Sequence, residues 1–419
     1  MSEALSPEDL LTLRMRAQGL AGGAPPSTGS GAGSAGASGS ERIAAVARRM
    51  LALQGQDWRS SRWALGVRAA FSEGRVVRSW PMRGTIHVVA AEDIGWMQAV
   101  ASRKPLAGAA KRREFLGLDD ARLERLVEVS VQALTGLAAR GEGLDRDGLA
   151  TAWTEAGVEW RGNWRYHIIW WLCQNGIAVF GPTGGEAEPG LVLAEEWIRD
   201  PRSPDDPLAE LASRYAAARG PVRAKDLAWW AGLTMSEARR GLDTAVESGE
   251  LRRVRLADVA GQAGELWADP EQLGAPIGGH VASPAGPGGD PVTSAGSAAD
   301  GAGSAAVAGS EADGPSDWLL LPAFDEHLLG YANRDAQLDP EHFERVVPGR
   351  NGMFLATAVH RGRVVGTWKR VARKAGGIAI APLPGARVDA TALRPALERW
   401  SAFHGLDPGP IDLAATSAD

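Results

Sequence analysis

The sequence predicts an α+β protein: tandem winged helix-turn-helix motifs, three in number, followed by a basic β-barrel-like domain, with two disordered insertions. Three observations carry this reading. A helix, helix, turn, helix, strand pattern recurs up to residue 273, the periodicity changes to two-residue alternation after residue 317, and two low-complexity tracts interrupt the chain. The predicted division is 1–98 for the first winged helix, 99–200 for the second and 201–273 for the third. A disordered linker takes 274–316, and the β-barrel-like domain with its C-terminal helix takes 317–419.

Taken in order, SPEDLLTLRMRAQGL and SERIAAVARRMLALQ each open on a serine and read as helices. The tract between them, residues 20–40, is Gly/Ser/Ala/Pro without charge, too poor in apolar surface to order itself. GRVVRSWPMRGTIHVVA then alternates as strands, and a weaker copy of the motif runs on to NWRYHIIWWLCQNGIAVFGPTGG. The clearest copy is residues 206–256. There Leu208, Leu211 and Tyr215 give helical spacing, Ala224–Ala231 forms a short helix ended by Gly232, Thr234 caps a third helix, and GELRRVRL reads as a strand. The tract 274–316 holds Asp290, Asp300, Glu311 and Asp313 against no lysine or arginine. DWLLLPAFDEHLLGY and GMFLATAVHRGRVVGTWKR supply the alternation of antiparallel strands, and ATALRPALERWSAFHG closes the chain as a helix.

A net charge of −6 over 419 residues argues against nucleic acid until charge is counted by segment. From Arg345 to Val388 the chain carries Arg345, Arg350, Arg361, Arg363, Lys369, Arg370, Arg373, Lys374 and Arg387 and no acidic residue, and SRKPLAGAAKRRE adds a second basic cluster. Phosphate is the usual partner of such a face, so double-stranded DNA becomes the leading partner. One cysteine, Cys173, in an apolar run predicts a buried thiol and a reducing cytoplasm. The acidic N-terminus lacks a signal pattern, no run is long enough to span a bilayer, and the seven scattered histidines form no metal-ligand cluster, so neither membrane, metal nor cofactor is expected. The tryptophans of IIWWL and AWW lie on apolar helical runs and read as core.

Several polar residues stand out. Arg83, beside Gly84 and Thr85 in WPMRGTIH, is either a phosphate contact or half of a buried salt bridge. Thr85 and His87 share a strand face with Arg83 by the two-residue period and are candidate DNA contacts with it, beside a structural reading of His87. Gln54 and Gln56 in LALQGQDW are two neutral amides following a packing helix; solvent exposure is their plain interpretation.

The blocks LALQGQDW with WALGVRAAF, VRSWPMRGTIHVVAAED, LLLPAFDEHLLGYANR and NGMFLATAVHRGRVVGTWKR resemble those of the AlkZ/YcaQ superfamily of bacterial DNA glycosylases, the azinomycin-resistance type, over nearly the whole chain outside the two insertions. The resemblance implies three winged helices and a barrel around duplex DNA. It also implies a monofunctional glycosylase that releases N7-alkylated purines, with bulky natural-product adducts and crosslinks left open as lesions; a nucleoid-associated monomer is expected, in either general repair or toxin self-resistance. The family's Gln-x-Gln motif falls on Gln54 and Gln56 as the catalytic pair. Gly55 stands between them where an apolar side chain is usual, which predicts a looser loop. Asp325 in AFDEHLL is a carboxylate that either supports the active site or ties down an arginine. HRGRVVGTWKR looks like the hairpin and strand by which the family approaches DNA, placing Arg361, Arg363, Lys369 and Arg370 on phosphate or groove. The alternative is a non-catalytic winged-helix protein, either a regulator or a lesion-binding shield; a regulator ordinarily pairs one recognition helix per subunit in a symmetric dimer.

Overall fold

The computed structural model describes residues 4–20, 39–56, 75–181, 188–257, 264–274, 317–371 and 376–414. Most of the two low-complexity tracts, the WALGVRAAF block, Arg373 and Lys374 lie outside the described residues.

Helix α1 (Pro7–Ala17) starts on a reciprocal cap between Ser6 and Asp9, with Pro7 in the first turn, where its missing N–H costs nothing. Helix α2 (Gly39–Met50) follows. The run LALQ, expected to extend α2, instead turns away from it: Leu51 takes φ 61 and Ala52–Gln54 forms strand β1. The reason is tertiary. Arg219 donates to the carbonyls of Met50 and Ala52, both at 3.0 Å, and so holds the groups flanking Leu51 in a non-helical turn.

Strands β2 (Val76–Met82) and β3 (Thr85–Ala90) form an antiparallel hairpin closed by Arg83 and Gly84, with φ of 54 and 68. Two consecutive left-handed residues give the two-residue turn whose twist matches that of the strands. β1 joins the outer side of β3 in the register Ala52↔Val89, Leu53↔Val88, Gln54↔His87. Helices α3 (Ile94–Ala101), α4 (Arg103–Ala107) and α5 (Ala109–Leu116) come next. Then α6 (Asp120–Leu134) and α7 (Arg146–Glu155), capped by Asp119 and Asp145, and α8 (Gly162–Gln174) lead to β4 (Ala178–Phe180) and β5 (Leu191–Leu193). β4 pairs with β2, so one sheet in the order β1-β3-β2-β4-β5 draws strands from both sides of residue 98. β2 is buried along its length, and Pro81 interrupts its ladder at a bulge. The Trp80 carbonyl there accepts from the side chains of Gln98 and Gln174 instead.

After the short α9 (Ala194–Trp197), helices α10 (Pro207–Arg219), α11 (Ala224–Ala231) and α12 (Met235–Glu247) precede a hairpin of β6 (Arg252–Leu256) and β7 (Gly264–Ala268). The stop and start signals read from the sequence hold here. Gly232 ends α11 at φ 74, and Thr234 with Glu237 caps α12.

The short α13 (Pro270–Gly274) ends this region. The C-terminal part contains β8 (Trp318–Leu321), α14 (Glu326–Leu329), α15 (Phe343–Val346), β9 (Thr357–His360), β10 (Arg363–Arg370), β11 (Gly376–Pro382), α16 (Arg394–Phe403) and β12 (Pro408–Leu413). The expected barrel is a half-barrel: five strands in the order β12-β11-β10-β9-β8, open between β12 and β8. Helix α16 fills one face, packing Leu397 and Trp400 with Trp368 and Ile380, so burial is achieved without closure. The opposite face packs Leu321, Val359 and Val364 with α14 and with Trp229, which also touches the N-terminal core. That seam between the N-terminal core and the half-barrel carries the candidate site.

Candidate active site

Gln54 ends β1 directly opposite His87. His87 is fully buried, and its Nδ1 lies 2.9 Å from the Thr85 carbonyl, which can only accept, so Nδ1 bears the proton. Burial, reinforced by the charges of Arg83 and Arg219, pulls its pKa down to about 3, and the ring is neutral. Its Nε2 is therefore an acceptor, and the Gln54 Nε2 amide donates to it at 3.0 Å. The reverse amide orientation would set oxygen against a nitrogen lone pair. As a result Gln54 Oε1 points away from His87, buried and without a partner among the described residues.

Gly55 tightens this arrangement. Its N–H donates to the Ile86 carbonyl at 3.0 Å, its own carbonyl accepts from Arg78 Nε at 3.0 Å, and a Cβ there would stand 3.2 Å from the His87 backbone. The looser loop expected of this glycine is not what the backbone does, because glycine permits a closer approach of β1 to β3 than any other residue. Gln56, the next side chain but one, is exposed.

Beneath the site lies a charged network that the sequence reading missed. Arg219, wholly buried, donates to Glu326 Oε2 from Nε at 3.0 Å and from Nη2 at 2.6 Å, besides holding Met50 and Ala52. Trp230 Nε1 donates to the same oxygen at 3.0 Å, and Tyr331 donates to the Arg219 carbonyl at 2.8 Å. A signal was present: Leu211, Tyr215 and Arg219 recur every four residues, which puts an arginine on the buried face of α10. Asp325 adjoins Glu326 and caps α14, its Oδ1 accepting from the His327 N–H at 2.8 Å. Burial and the neighbouring Glu326 charge push its pKa up to about 6, against the opposing pull of the His327 N–H and Arg219. The preceding residue, Phe324, is held at φ 61.

The structure thus brings Gln54, Thr85, His87 and Asp325 to one seam around Arg219. Thr85 contributes its backbone carbonyl there. Arg83 is half-buried, with its guanidinium carbon 4.5 Å from the Trp229 ring centre, and it forms no salt bridge among the described residues. Trp229, read as core, is half-buried and is a platform for Arg83 and also for Arg334, at 4.6 Å.

The proposed DNA-contacting strand is divided. Arg363 and Lys369 are both exposed, but the bulge between Val364 and Gly366 shifts the alternation so that they lie on opposite faces of β10, and Arg370 stacks 5.5 Å from Trp400. Arg361, at φ 48 in the turn before β10, is exposed and paired with Asp317 at 2.9 Å. The tip of this turn docks on the molecule: the Gly362 carbonyl lies 2.8 Å from His327 Nε2, and the glycine packs on Leu11 of α1. In the second basic cluster, Arg103 pairs with Glu237 and Arg113 with Asp120. Among the described residues no group of three His, Cys, Asp or Glu side chains is placed to hold a metal ion, and no helix is long and apolar enough to cross a membrane.

Comparison with known proteins agrees with this architecture. The family model described as DNA glycosylase AlkZ-like matches residues 47–403. Among solved structures, the Streptomyces sahachiroi DNA glycosylase AlkZ superposes with a TM-score of 0.68 at 18% identity, covering 98% of this chain and 100% of that one. No curated protein matches. The match takes in β1 with Gln54, β3 with His87, the Arg219 network and strands β8 to β11 of the half-barrel, and on that extent the chain belongs to the AlkZ-like DNA glycosylase family.

Proposed function

We propose that the protein is a monofunctional glycosylase that hydrolyses the N-glycosidic bond of N7-alkylated purines in duplex DNA and leaves an abasic site. A purine alkylated at N7 is already cationic, so its departure needs little protonation. The demands on the enzyme are a positioned water and tolerance of positive charge growing on the sugar. Glutamine is no base at neutral pH, but its carbonyl oxygen accepts a hydrogen bond from water and directs a lone pair at the anomeric carbon. The observation that carries this reading is the orphaned Gln54 Oε1, fixed in orientation by a neutral His87. Gln54 then orients the water, and exposed Gln56 contacts the sugar or its phosphate. Asp325, titrating near neutrality, supplies negative charge at the same seam when ionised. Arg361, Arg363 and Lys369 contact the DNA backbone from the half-barrel. We read the three helical segments as tandem winged helices and the protein as a monomer in the nucleoid that needs no cofactor and serves self-resistance.

The test is single-turnover release of base from a duplex with one N7-methylguanine at saturating enzyme. Gln54→Ala is expected to slow release by about 100-fold or more, and Gln56→Ala by a smaller factor, both with DNA binding intact. Wild-type enzyme that binds the duplex yet releases neither N7-methylguanine nor a bulky N7 adduct would overturn the proposal in favour of a lesion-binding shield.

A further inference from the structure

We infer that Arg83 and Arg334, stacked on Trp229, form a seat for one phosphodiester of the DNA backbone beside the Gln54 and His87 pair. The two guanidinium carbons lie 4.5 and 4.6 Å from the same ring centre, and the charge of Arg83 is felt at Arg334. Neither arginine has a carboxylate within ion-pair distance among the described residues. Arg334 donates to two backbone carbonyls, Leu328 at 2.7 Å from Nε and Ala332 at 3.3 Å from Nη1. Among the described residues the Arg83 side chain donates to nothing, and its Nε is buried without a partner.

Two half-buried like charges on one indole are adverse without a counter-charge. Burial lowers both pKa values, that of Arg334 to about 10, and Arg83 contributes to the fall at Arg334. The nearest carboxylates are committed elsewhere. Glu326 Oε2 takes Arg219 and Trp230. Asp226 takes the N–H groups of Ala332 and Asn333 on one oxygen and that of Arg223 on the other, and lies 3.6 Å from Arg14. Glu326 and Asp226 act on the two arginines only at a distance, so no carboxylate among the described residues pairs with either directly, and both side chains, like Trp229 itself, are part-exposed to receive an anion from outside.

A phosphodiester suits the pair. Planar guanidinium groups meet two phosphate oxygens at once, and their stacking on an aromatic face holds them ready. Position points to the same ligand. Arg83 ends the hairpin whose strand β3 carries His87 four residues on, about 13 Å along an extended chain, so the seat lies within a few base steps of the reacting nucleotide. Occupancy also removes a conflict, since two bare cations would oppose the positive charge that develops on the sugar, whereas a seated phosphate neutralises them.

The inference rests on the duplex-DNA reading above but not on the roles of the glutamines. It is tested with duplexes containing a 2′-fluoro N7-methylguanosine, whose glycosidic bond resists cleavage, and one neutral methylphosphonate linkage moved step by step along each strand. Wild-type protein is expected to lose affinity about tenfold at one linkage near the lesion. Arg83→Gln and Arg334→Gln are each expected to be insensitive at that same linkage. The slope of log K against log salt should fall by about 0.9 in either variant and no further in the double variant, because one phosphate is shared. Insensitivity of the two variants at different linkages, or full sensitivity retained in both, overturns the seat. The methylphosphonate alters only the DNA, so the wild-type scan reads the seat without any variant: a scan with no sensitive linkage near the lesion overturns it as well. Failure of base release in the preceding experiment, with the linkage effect intact, would reject the chemistry and leave the seat standing.

Discussion

The orientation of one amide decides what Gln54 can do. A primary amide offers a donor end and an acceptor end, and His87, protonated at Nδ1 toward the Thr85 carbonyl, takes the donor end. His87 is thus a positioning residue, and it acts only while its ring is neutral. His87→Gln keeps an acceptor in place and is expected to hold single-turnover release within about tenfold of wild type. His87→Leu, which removes it, should cost about 100-fold, the usual penalty for a misdirected reacting group, while DNA affinity is kept. Long-range nitrogen NMR of the His87 ring provides a readout that a packing role would not move. It should report the Nδ1–H form, uncharged well below the ordinary histidine range. An Nε2–H ring, or equal rates in the two variants, would remove His87 from the mechanism.

At the scale of elements, the end of α2 is set by α10. Arg219 draws the carbonyls of Met50 and Ala52 together with Glu326 of α14, and the price of burying its charge is met by that carboxylate. Arg219→Met is expected to destabilise the fold by about 3–5 kcal/mol in denaturant unfolding, because Glu326 is left charged and unpaired in the interior. Adding Glu326→Leu should restore most of that loss. A single variant as stable as wild type would show that the turn at Leu51 is held by something other than Arg219. The motif on β1 was legible in the sequence, but its strand conformation was not: LALQ continues a good helical pattern, and the arginine that interrupts it lies well over 100 residues away.

Across the whole molecule, one apolar cluster runs from Leu51 to Tyr331, and Trp229 belongs both to it and to the cluster under the half-barrel. With the Arg219 and Arg14 networks crossing the same seam, the N-terminal layers and the half-barrel are expected to unfold together. Differential scanning calorimetry should give one transition with matching calorimetric and van't Hoff enthalpies. Two resolved transitions would show that the seam contributes little. The basic residues of β10 depend on the same global arrangement. Composition places nine cations between Arg345 and Val388, yet the bulge after Val364 and the neighbour Trp400 decide that Arg363 and Lys369 are exposed on different faces while Arg370 is turned to the helix.

The sequence by itself determined the elements with strong local signals: the capped α1 and α12, the Gly232 stop and the alternation of the C-terminal strands. Local backbone chemistry is enough for these, because caps, left-handed glycines and period-two patterns act within a few residues. Only the tertiary structure decided that β1 lies on His87, that Gly55 is packed tightly, that five strands form an open half-barrel against α16, and that Arg83, Trp229 and Arg334 meet at one seam. Each of these depends on partners far apart in the chain, whose burial and hydrogen bonding override local propensity.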